Sequence, residues 1–471
     1  MDLPLYEKIA DQIELQVRDG IFAPGTKIPS VRKSSKQLHV SVATILQAYS
    51  LLEDRGIIKA RPQKGYFVQE TLLESGTSNE KALAQTDKPI AQLIETFLQQ
   101  HAGEDITRFS SSVPSTQFLP VRQLQRSVGR LMRLEPEVCV DYSEAQGSEH
   151  LRRQIAIRML DAGYKVQPDD ILITLGCQNA IIHSLQALTK PGDFVAVESP
   201  TYHGILQALE LLELKAIEIP CTHNEGMDVK ALKAAAESHT IKTIIVTPNY
   251  QNPTGATLST ENRQQLLKLS TEKSISIIED DVYGELCYSD HRPKALLAEN
   301  TNADITYCCS FSKSIAPGFR VGWIISPLHQ SKIEHFSYVS SIATPTLTQT
   351  AIANFLENGA YDRHLRKTTS VYEDNLGKCI KAIKQYFPEQ TEVSSPLGGF
   401  LLWITLPNSI NALALHEDAI QSGIGILPGD VFSLGRQFSH HIRINYALPW
   451  SNKIEACLKE LGELCVKQQK G

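Results

Sequence analysis

Apolar residues recur at helical spacing from the start of the chain. Leu5, Ile9, Ile13 and Val17 mark one face of a predicted helix that Gly20 stops, and Pro24-Gly25 makes the turn after it. A second helix is expected from Ser30, an N-cap behind Pro29. A third runs from about 41 to 55, with Ile45, Ala48, Tyr49 and Leu52 on one face and Gly56 as its stop. Residues 57–60 and 66–69, joined by RPQKG, read as two strands of a small wing. From 70 to about 87 the stretch ETLLESGTSNEKALAQTD loses apolar periodicity and reads as a linker. Beyond it, helix-length segments alternate with the β-rich runs ILIT from 171, FVAVES from 194, LKAIEI from 214, IKTIIVTP from 241, SISIIED from 274, ITYCCSF from 305 and VGWIIS from 321. Several of these are apolar on both faces, which predicts a mostly parallel sheet covered on both sides. After a helical stretch from about 345 to 386, GGFLLWITLP and HIRINYALP predict a smaller C-terminal α+β lobe. The expected organisation is multi-domain: a compact unit over 1–69, a linker carried to 100, and an α/β domain over 101–471. The large α/β part covers about 101–345, and the helical connection and small lobe about 346–471.

Length agrees, because 471 residues exceed one ordinary core and imply two or three folding units. With 42% apolar and 21% charged residues and a net charge of -6, the composition is that of a soluble globular chain. The nine cysteines are scattered and lack any C-x-x-C spacing, so free thiols in a reducing cytoplasm are expected and a metal site is not. The N-terminus shows no basic segment followed by an apolar run, and no later stretch approaches 18 apolar residues. A cytoplasmic protein without a membrane partner is the expectation.

Global charge does not point to nucleic acid, but local charge does. Between 27 and 64, Lys27, Arg32, Lys33, Lys36, Arg55, Lys59, Arg61 and Lys64 face only Glu53 and Asp54. Such a surplus favours phosphate contacts through counterion release. Ser30 and Arg32 stand at a helix N-terminus, which itself attracts phosphate. Ser41 and Thr44 open the third helix, whose first turns would enter a major groove in helix-turn-helix docking. A helical oligomerisation or capping domain with a solvated charged face is the alternative. PLYEKIADQI, DGIFAPGTKIPSVR, HVSVATILQAYSLLEDRGII and RPQKGYFV together resemble the winged helix of the GntR family of bacterial repressors. Members often carry Arg after the Ser that opens the recognition helix, where this chain has Val42, while Arg32, Thr44 and Lys64 remain available.

The strongest chemical signal is SFSKSIAPGFRVGW. A lysine ending a strand among small hydroxyl residues, with an arginine seven positions on, can form an imine while its neighbours hold a dianionic phosphate. Lys313 is the candidate imine former, and Ser310, Ser312 and Arg320 are candidate phosphate ligands. In IIEDDVYGEL, Asp280 can keep a pyridine nitrogen protonated and Tyr283 can donate to a ring phenolic oxygen. Read alone, that acidic strand end is equally a solvated loop or a Mg²⁺ site. In TPNYQNPTG, Asn252 can aim its amide at the same oxygen, or the segment is an ordinary turn. In TLGCQNAI, Gly176 opens a helix whose amides at Cys177 and Gln178 can cradle phosphate, or it is only a strand-to-helix turn; the Cys177 thiol is a bystander.

In order, these motifs resemble fold-type I pyridoxal-phosphate enzymes of the class I aminotransferase kind, over roughly residues 105–471. The resemblance implies pyridoxal 5'-phosphate as cofactor and Asn252 as its pyridoxal-binding asparagine. It also implies Tyr202 as the aromatic stacked on the ring, Tyr142 as the tyrosine reaching a neighbouring subunit's phosphate, and Arg443 as the grip on a substrate α-carboxylate. A GntR-like reader fused to such a domain is similar to the MocR subfamily of bacterial transcription regulators. That resemblance implies a homodimer that binds double-stranded operator DNA and senses the cofactor, or an amine or amino-acid effector, through transaldimination at Lys313. The alternative is a working aminotransferase with an appended DNA-binding domain.

Overall fold

The computed structural model describes residues 4–18, 21–22, 25–61, 64–69, 90–101, 105–222, 224–299 and 302–470. Its contacts divide the chain into two units, Met1–Thr86 and Asp87–Gly471.

In the first unit, α1 (Leu5–Arg18), α2 (Val31–Leu38) and α3 (Val42–Asp54) precede a hairpin of β1 (Ile58–Arg61) and β2 (Gly65–Val68). The serines expected at the helix starts are both N-caps: Ser30 Oγ accepts from Lys33 N and Ser41 Oγ from Thr44 N. Ile9, Ile13, Ile45, Ala48, Tyr49 and Leu52 form one core with Ile28, Ile57 and Val68. The wing is antiparallel, with Ile58 opposite Val68 and Arg61 opposite Gly65. Gly20, Pro24 and the linker over 70–89 lie outside the described residues.

The linker expected to reach residue 100 ends earlier. The second unit opens with α4 (Ile90–Gln100), whose Leu93, Ile94 and Phe97 pack on Trp403, Leu413, Leu427, Val431 and Phe432. A stripe at helical spacing is present there, and burial against the small lobe offsets the entropy of ordering it. Next come β3 (Thr107–Arg108), α5 (Val121–Leu134) and α6 (Glu149–Asp161). The large sheet then alternates with helices: β4 (Ile171–Thr174), α7 (Cys177–Leu188), β5 (Phe194–Ser199), α8 (His203–Leu211), β6 (Lys215–Thr222), β7 (Gly226–Met227), α9 (Val229–Ser238), β8 (Ile241–Val246), α10 (Thr260–Lys273), β9 (Ser276–Asp280), β10 (Ile305–Ser310) and β11 (Gly322–Ile325).

Its order is β4-β11-β10-β9-β8-β5-β6-β7. The inner pairs are parallel, and β11 runs antiparallel to both β4 and β10. The period of two along each strand divides the core between the faces. Val195, Val197, Ile245 and Ile278 join one cluster, while Ala196, Ile244, Val246 and Ile277 join the other. The expected helical stretch after 345 is two helices, α11 (Gln330–Ser341) being followed by α12 (Thr346–Glu357) and α13 (Ala360–Tyr386). Gly359 at φ +61 turns the chain between the last two. The small lobe adds β12 (Glu392–Val393), β13 (Leu401–Thr405), α14 (Ala412–Gln421), β14 (Ile424–Gly425), β15 (Leu427–Pro428), β16 (His441–Asn445) and α15 (Asn452–Lys470). Among the described residues no helix is long and apolar enough to cross a membrane.

Candidate functional site

The carboxyl ends of β4, β8, β9 and β10 lie on one side of the sheet, the side on which open α/β sheets bind ligands. A cavity of about 240 Å³ opens there, lined by Cys177, Gln178, Tyr202, Asn252, Asp280, Tyr283, Ser310, Ser312, Lys313 and Arg320, with Ser112, Val113, Ile181, Thr247, Val282 and Pro317. Residues remote in sequence thus share one space.

Lys313 Nζ donates to the backbone carbonyl of Ser112 at 2.7 Å. Burial, and then the nearby Arg443 cation, pull the amine down to about 8. Asp280 ends β9 and is buried. Its Oδ1 accepts from the Cys177 thiol at 3.2 Å and from Val282 N at 3.3 Å, and burial pushes the carboxyl up to about 6. A cation beside Asp280 would restore the ordinary carboxylate. The Tyr283 hydroxyl is buried without a hydrogen-bond partner among the described residues, and burial raises its pKa. An unpaired buried hydroxyl is costly, so a ligand oxygen in reach would stabilise the site.

Another wall of the cavity is formed by the start of α7, Ser310, Ser312 and Arg320. α7 begins at Cys177, and its N-cap Gly176 has φ +86 and ψ 173. A Cβ at Gly176 would come within 2.5 Å of Arg320 Nη2, and one at Gly322 within 2.6 Å of the Gly176 carbonyl carbon. Two glycines therefore let the β4–α7 turn, Arg320 and β11 close up around the free amides of the helix. Arg320 Nη2 donates to Leu175 O at 2.8 Å and Nη1 reaches Ser312 Oγ at 3.5 Å, while Ser310 Oγ takes the amide of Ser312 at 3.3 Å. Gln178 is tied by Nε2 to Gly204 O at 2.6 Å.

Arg443, on β16, is buried. Nη1 donates to Asn252 Oδ1 at 3.3 Å, Nη2 donates to Ser110 O, and Nε has no partner among the described residues. Burial draws the guanidinium down to about 10, and its Cζ lies 5.5 Å from the Phe432 ring centroid. Tyr142 does not line the cavity and is 76% exposed.

Asp280 and Asp281 do not form a shared cation site. Asp281 bonds Arg292, the Tyr307 hydroxyl at 2.9 Å and Asn249 Nδ2 at 2.7 Å, and Glu279 accepts from Leu296 N and Leu297 N. The three adjacent carboxylates thus have separate partner sets, with Asp281 anchoring the strand end that carries Asp280. Ser112, Val113 and Thr247 carry no signal in the sequence, because they contribute backbone or wall with no distinctive side chain.

In the N-terminal unit, Arg32 is exposed in the first turn of α2 and Lys64 is exposed at the wing. Ser41 Oγ and Thr44 Oγ1 are 2.8 Å apart, so these hydroxyls close the start of α3. Arg55 leaves the basic patch: it pairs with Asp11 at 2.6 Å and Glu14 at 2.7 Å, tying the end of α3 to α1. Arg61 lies over the Phe67 ring, 4.5 Å from its centroid.

The profile of aminotransferase class I and II matches residues 104–461, and that of bacterial regulatory proteins, gntR family, matches residues 5–68. The chain is 36% identical over 461 residues to the HTH-type transcriptional regulator YjiR of Escherichia coli, covering 97% of this chain and 98% of that one. The kynurenine aminotransferase of Pyrococcus horikoshii, solved with PMP, KYN and KYA, superposes with a TM-score of 0.74 at 28% identity, covering 84% of this chain and 98% of its own. LysN, the α-aminoadipate aminotransferase of Thermus thermophilus, solved with N-(5'-phosphopyridoxyl)-L-leucine, gives 0.74 at 25% identity, covering 81% and 100%. Fold and matches define a transcription regulator that carries a winged helix-turn-helix followed by a fold-type I aminotransferase domain. The chain belongs to the MocR subfamily of GntR-type regulators.

Proposed function

We propose that this regulator binds pyridoxal 5'-phosphate at Lys313 and reports an amine or amino acid to operator DNA. One observation carries the reading. A lysine amine of lowered pKa, a partnerless buried tyrosine hydroxyl, a buried carboxylate and an open helix N-terminus all face one cavity. The donor set fits the cofactor group by group. Lys313 would hold the aldehyde carbon, Asp280 the protonated ring nitrogen, and Tyr283 with Asn252 the ring oxygen. Tyr202 would cover the ring, and the amides of Cys177 and Gln178 with Ser310, Ser312 and Arg320 would hold the phosphate. When bound, the cofactor supplies an aldehyde that condenses reversibly with primary amines and a ring that withdraws electrons from the attached carbon. LysN, a structural neighbour, was solved with a phosphopyridoxyl compound.

The protein's own residues then do the sensing. The lowered pKa leaves part of the Lys313 population neutral near pH 7, and Arg443 would hold an α-carboxylate by its planar fork in exchange for Asn252 and the Ser110 carbonyl. With an effector amine in its place, Lys313 would be free to take a proton, which would change the charge beside Asp280 and Arg443. Regulation follows where the two states differ in stability between two domain arrangements. The exposure of Tyr142 supports a homodimer in which it serves the partner's site.

The presence of Lys313, Asp280, Tyr283 and Arg443 together also favours a second reading, a transaminating enzyme with a DNA tether. Footprinting upstream DNA with wild type and Lys313→Ala, with and without cofactor and a panel of amino acids, separates these. Effector-dependent footprints lost in Lys313→Ala support sensing. Identical footprints in all lanes overturn it, and steady keto-acid production favours the enzyme.

A further inference from the structure

The recognition helix differs in chemistry from the surface around it. α3, with the sequence VATILQAYSLLED, contains no lysine or arginine. Its buried face is Ile45, Ala48, Tyr49 and Leu52. The opposite face presents Val42, Ala43, Leu46 and Gln47 to solvent, and Val42 and Leu46 are each 46% exposed. Arg55, the first cation after the helix, is engaged by Asp11 and Glu14. The other cations lie to either side in sequence: Lys27 before α2, Arg32, Lys33 and Lys36 on α2, and Lys59, Arg61 and Lys64 on the wing.

In helix-turn-helix docking, the first turns of the second helix contact base edges and flanking cations hold phosphates. The groove code assigns guanine to arginine or lysine, adenine to the paired donor and acceptor of a glutamine, and the thymine methyl to apolar side chains. Resting on the reading of this unit as a DNA reader, we propose that α3 recognises A·T pairs: Val42, Ala43 and Leu46 pack on thymine methyl groups and Gln47 reads an adjacent adenine. Exposed valine and leucine gain from burial against a methyl, whereas a guanine O6 and N7 would find no cationic donor on this face. The flanking cations favour a polyanion over a protein as the occupant of this apolar face.

The test uses the full chain and selection of binding sites from random duplex DNA. Within the selected site, each thymine is replaced in turn by deoxyuridine, which removes only the C5 methyl. The proposal expects an A·T core in which one or more replacements weaken binding about four-fold each, the effect of one buried methylene. Gln47→Ala should weaken binding to the selected site about ten-fold and abolish the preference for one particular adenine. A core with guanines protected at N7, or deoxyuridine substitutions without effect, overturns the proposal while leaving the DNA reader intact. Only salt-dependent, sequence-independent binding overturns the reader as well. A change of oligomeric state in Val42→Ser, with sequence preference unaltered, assigns the face to a second copy of the chain and also overturns it.

Discussion

Lys313 Nζ and the carbonyl oxygen of Ser112 are joined by a 2.7 Å hydrogen bond, so the amine that follows β10 is held by a segment from the start of the domain. The bond orients the amine, and burial together with Arg443 brings its pKa to about 8. Capture of pyridoxal phosphate by the free protein requires the neutral amine. Its rate should fall about ten-fold per pH unit below 8 and level off above it, whereas an ordinary lysine would keep gaining up to about 10.4. Stability follows the same sign: between the folded and unfolded pKa values the unfolded chain binds more protons, so this group's contribution rises with pH over that window. Stopped-flow absorbance across pH checks the first statement. A rate still climbing steeply at about pH 9.5, between the lowered and the ordinary lysine values, would refute it.

Gly176→Ala tests the proposed phosphate site. The backbone at φ +86 and ψ 173 disfavours any side chain, and the new methyl would meet Arg320 at 2.5 Å. A cost of about 1–3 kcal/mol in urea unfolding is expected, together with weakened binding of inorganic phosphate and of the cofactor. Gly192→Ala is the control, because its φ is +88 but no atom lies within 4 Å of the added carbon. It should destabilise through the backbone alone and leave phosphate binding unchanged.

Much of this arrangement is legible in the sequence, and the exceptions have physical causes. The longer sheet strands stand out because central parallel strands are apolar on both faces, as ITYCCS of β10 shows with every residue buried. The candidate cofactor motifs stand out because their side chains are chemically distinctive and several sit at strand ends. α4 reads as linker because its short stripe gains stability only against Trp403 and Phe432, far away in the chain. The role of Ser112 is hidden because it acts through a carbonyl. The burial of Arg443 is hidden too, because the partners that make it tolerable, Ser110 and Asn252, are remote in sequence.

Arg443→Lys separates carboxylate recognition from amine chemistry. The fork now spans the Ser110 carbonyl and Asn252, with Nε unpartnered among the described residues. A lysine keeps the charge but loses the two-point geometry. Affinity of the cofactor-loaded protein for α-amino acids, followed by spectral titration, should fall about 100-fold, consistent with the loss of charge-assisted hydrogen bonds. Simple amines without a carboxylate should bind within about two-fold of wild type by the same two-point argument. Equal losses for both ligand classes would remove Arg443 from effector recognition.

The two fates of cations in the N-terminal unit give a last comparison. Arg55 lies in the basic stretch but is held by Asp11 and Glu14, with its side chain about a third exposed. Arg55→Gln should therefore lower the stability of the unit by no more than about 1 kcal/mol, since partly exposed ion pairs are screened. It should leave the dependence of DNA affinity on salt unchanged. Lys64 is exposed on the wing, and a phosphate contact there makes the opposite prediction. Lys64→Gln should leave stability unaltered and reduce the slope of log affinity against log salt by about 0.9, the value for one released counterion. Fluorescence anisotropy from about 50 to 200 mM salt resolves that difference. If Arg55→Gln flattens the slope and Lys64→Gln does not, Asp11 and Glu14 yield Arg55 to the DNA, and the clamp between α1 and α3 belongs to the free protein alone.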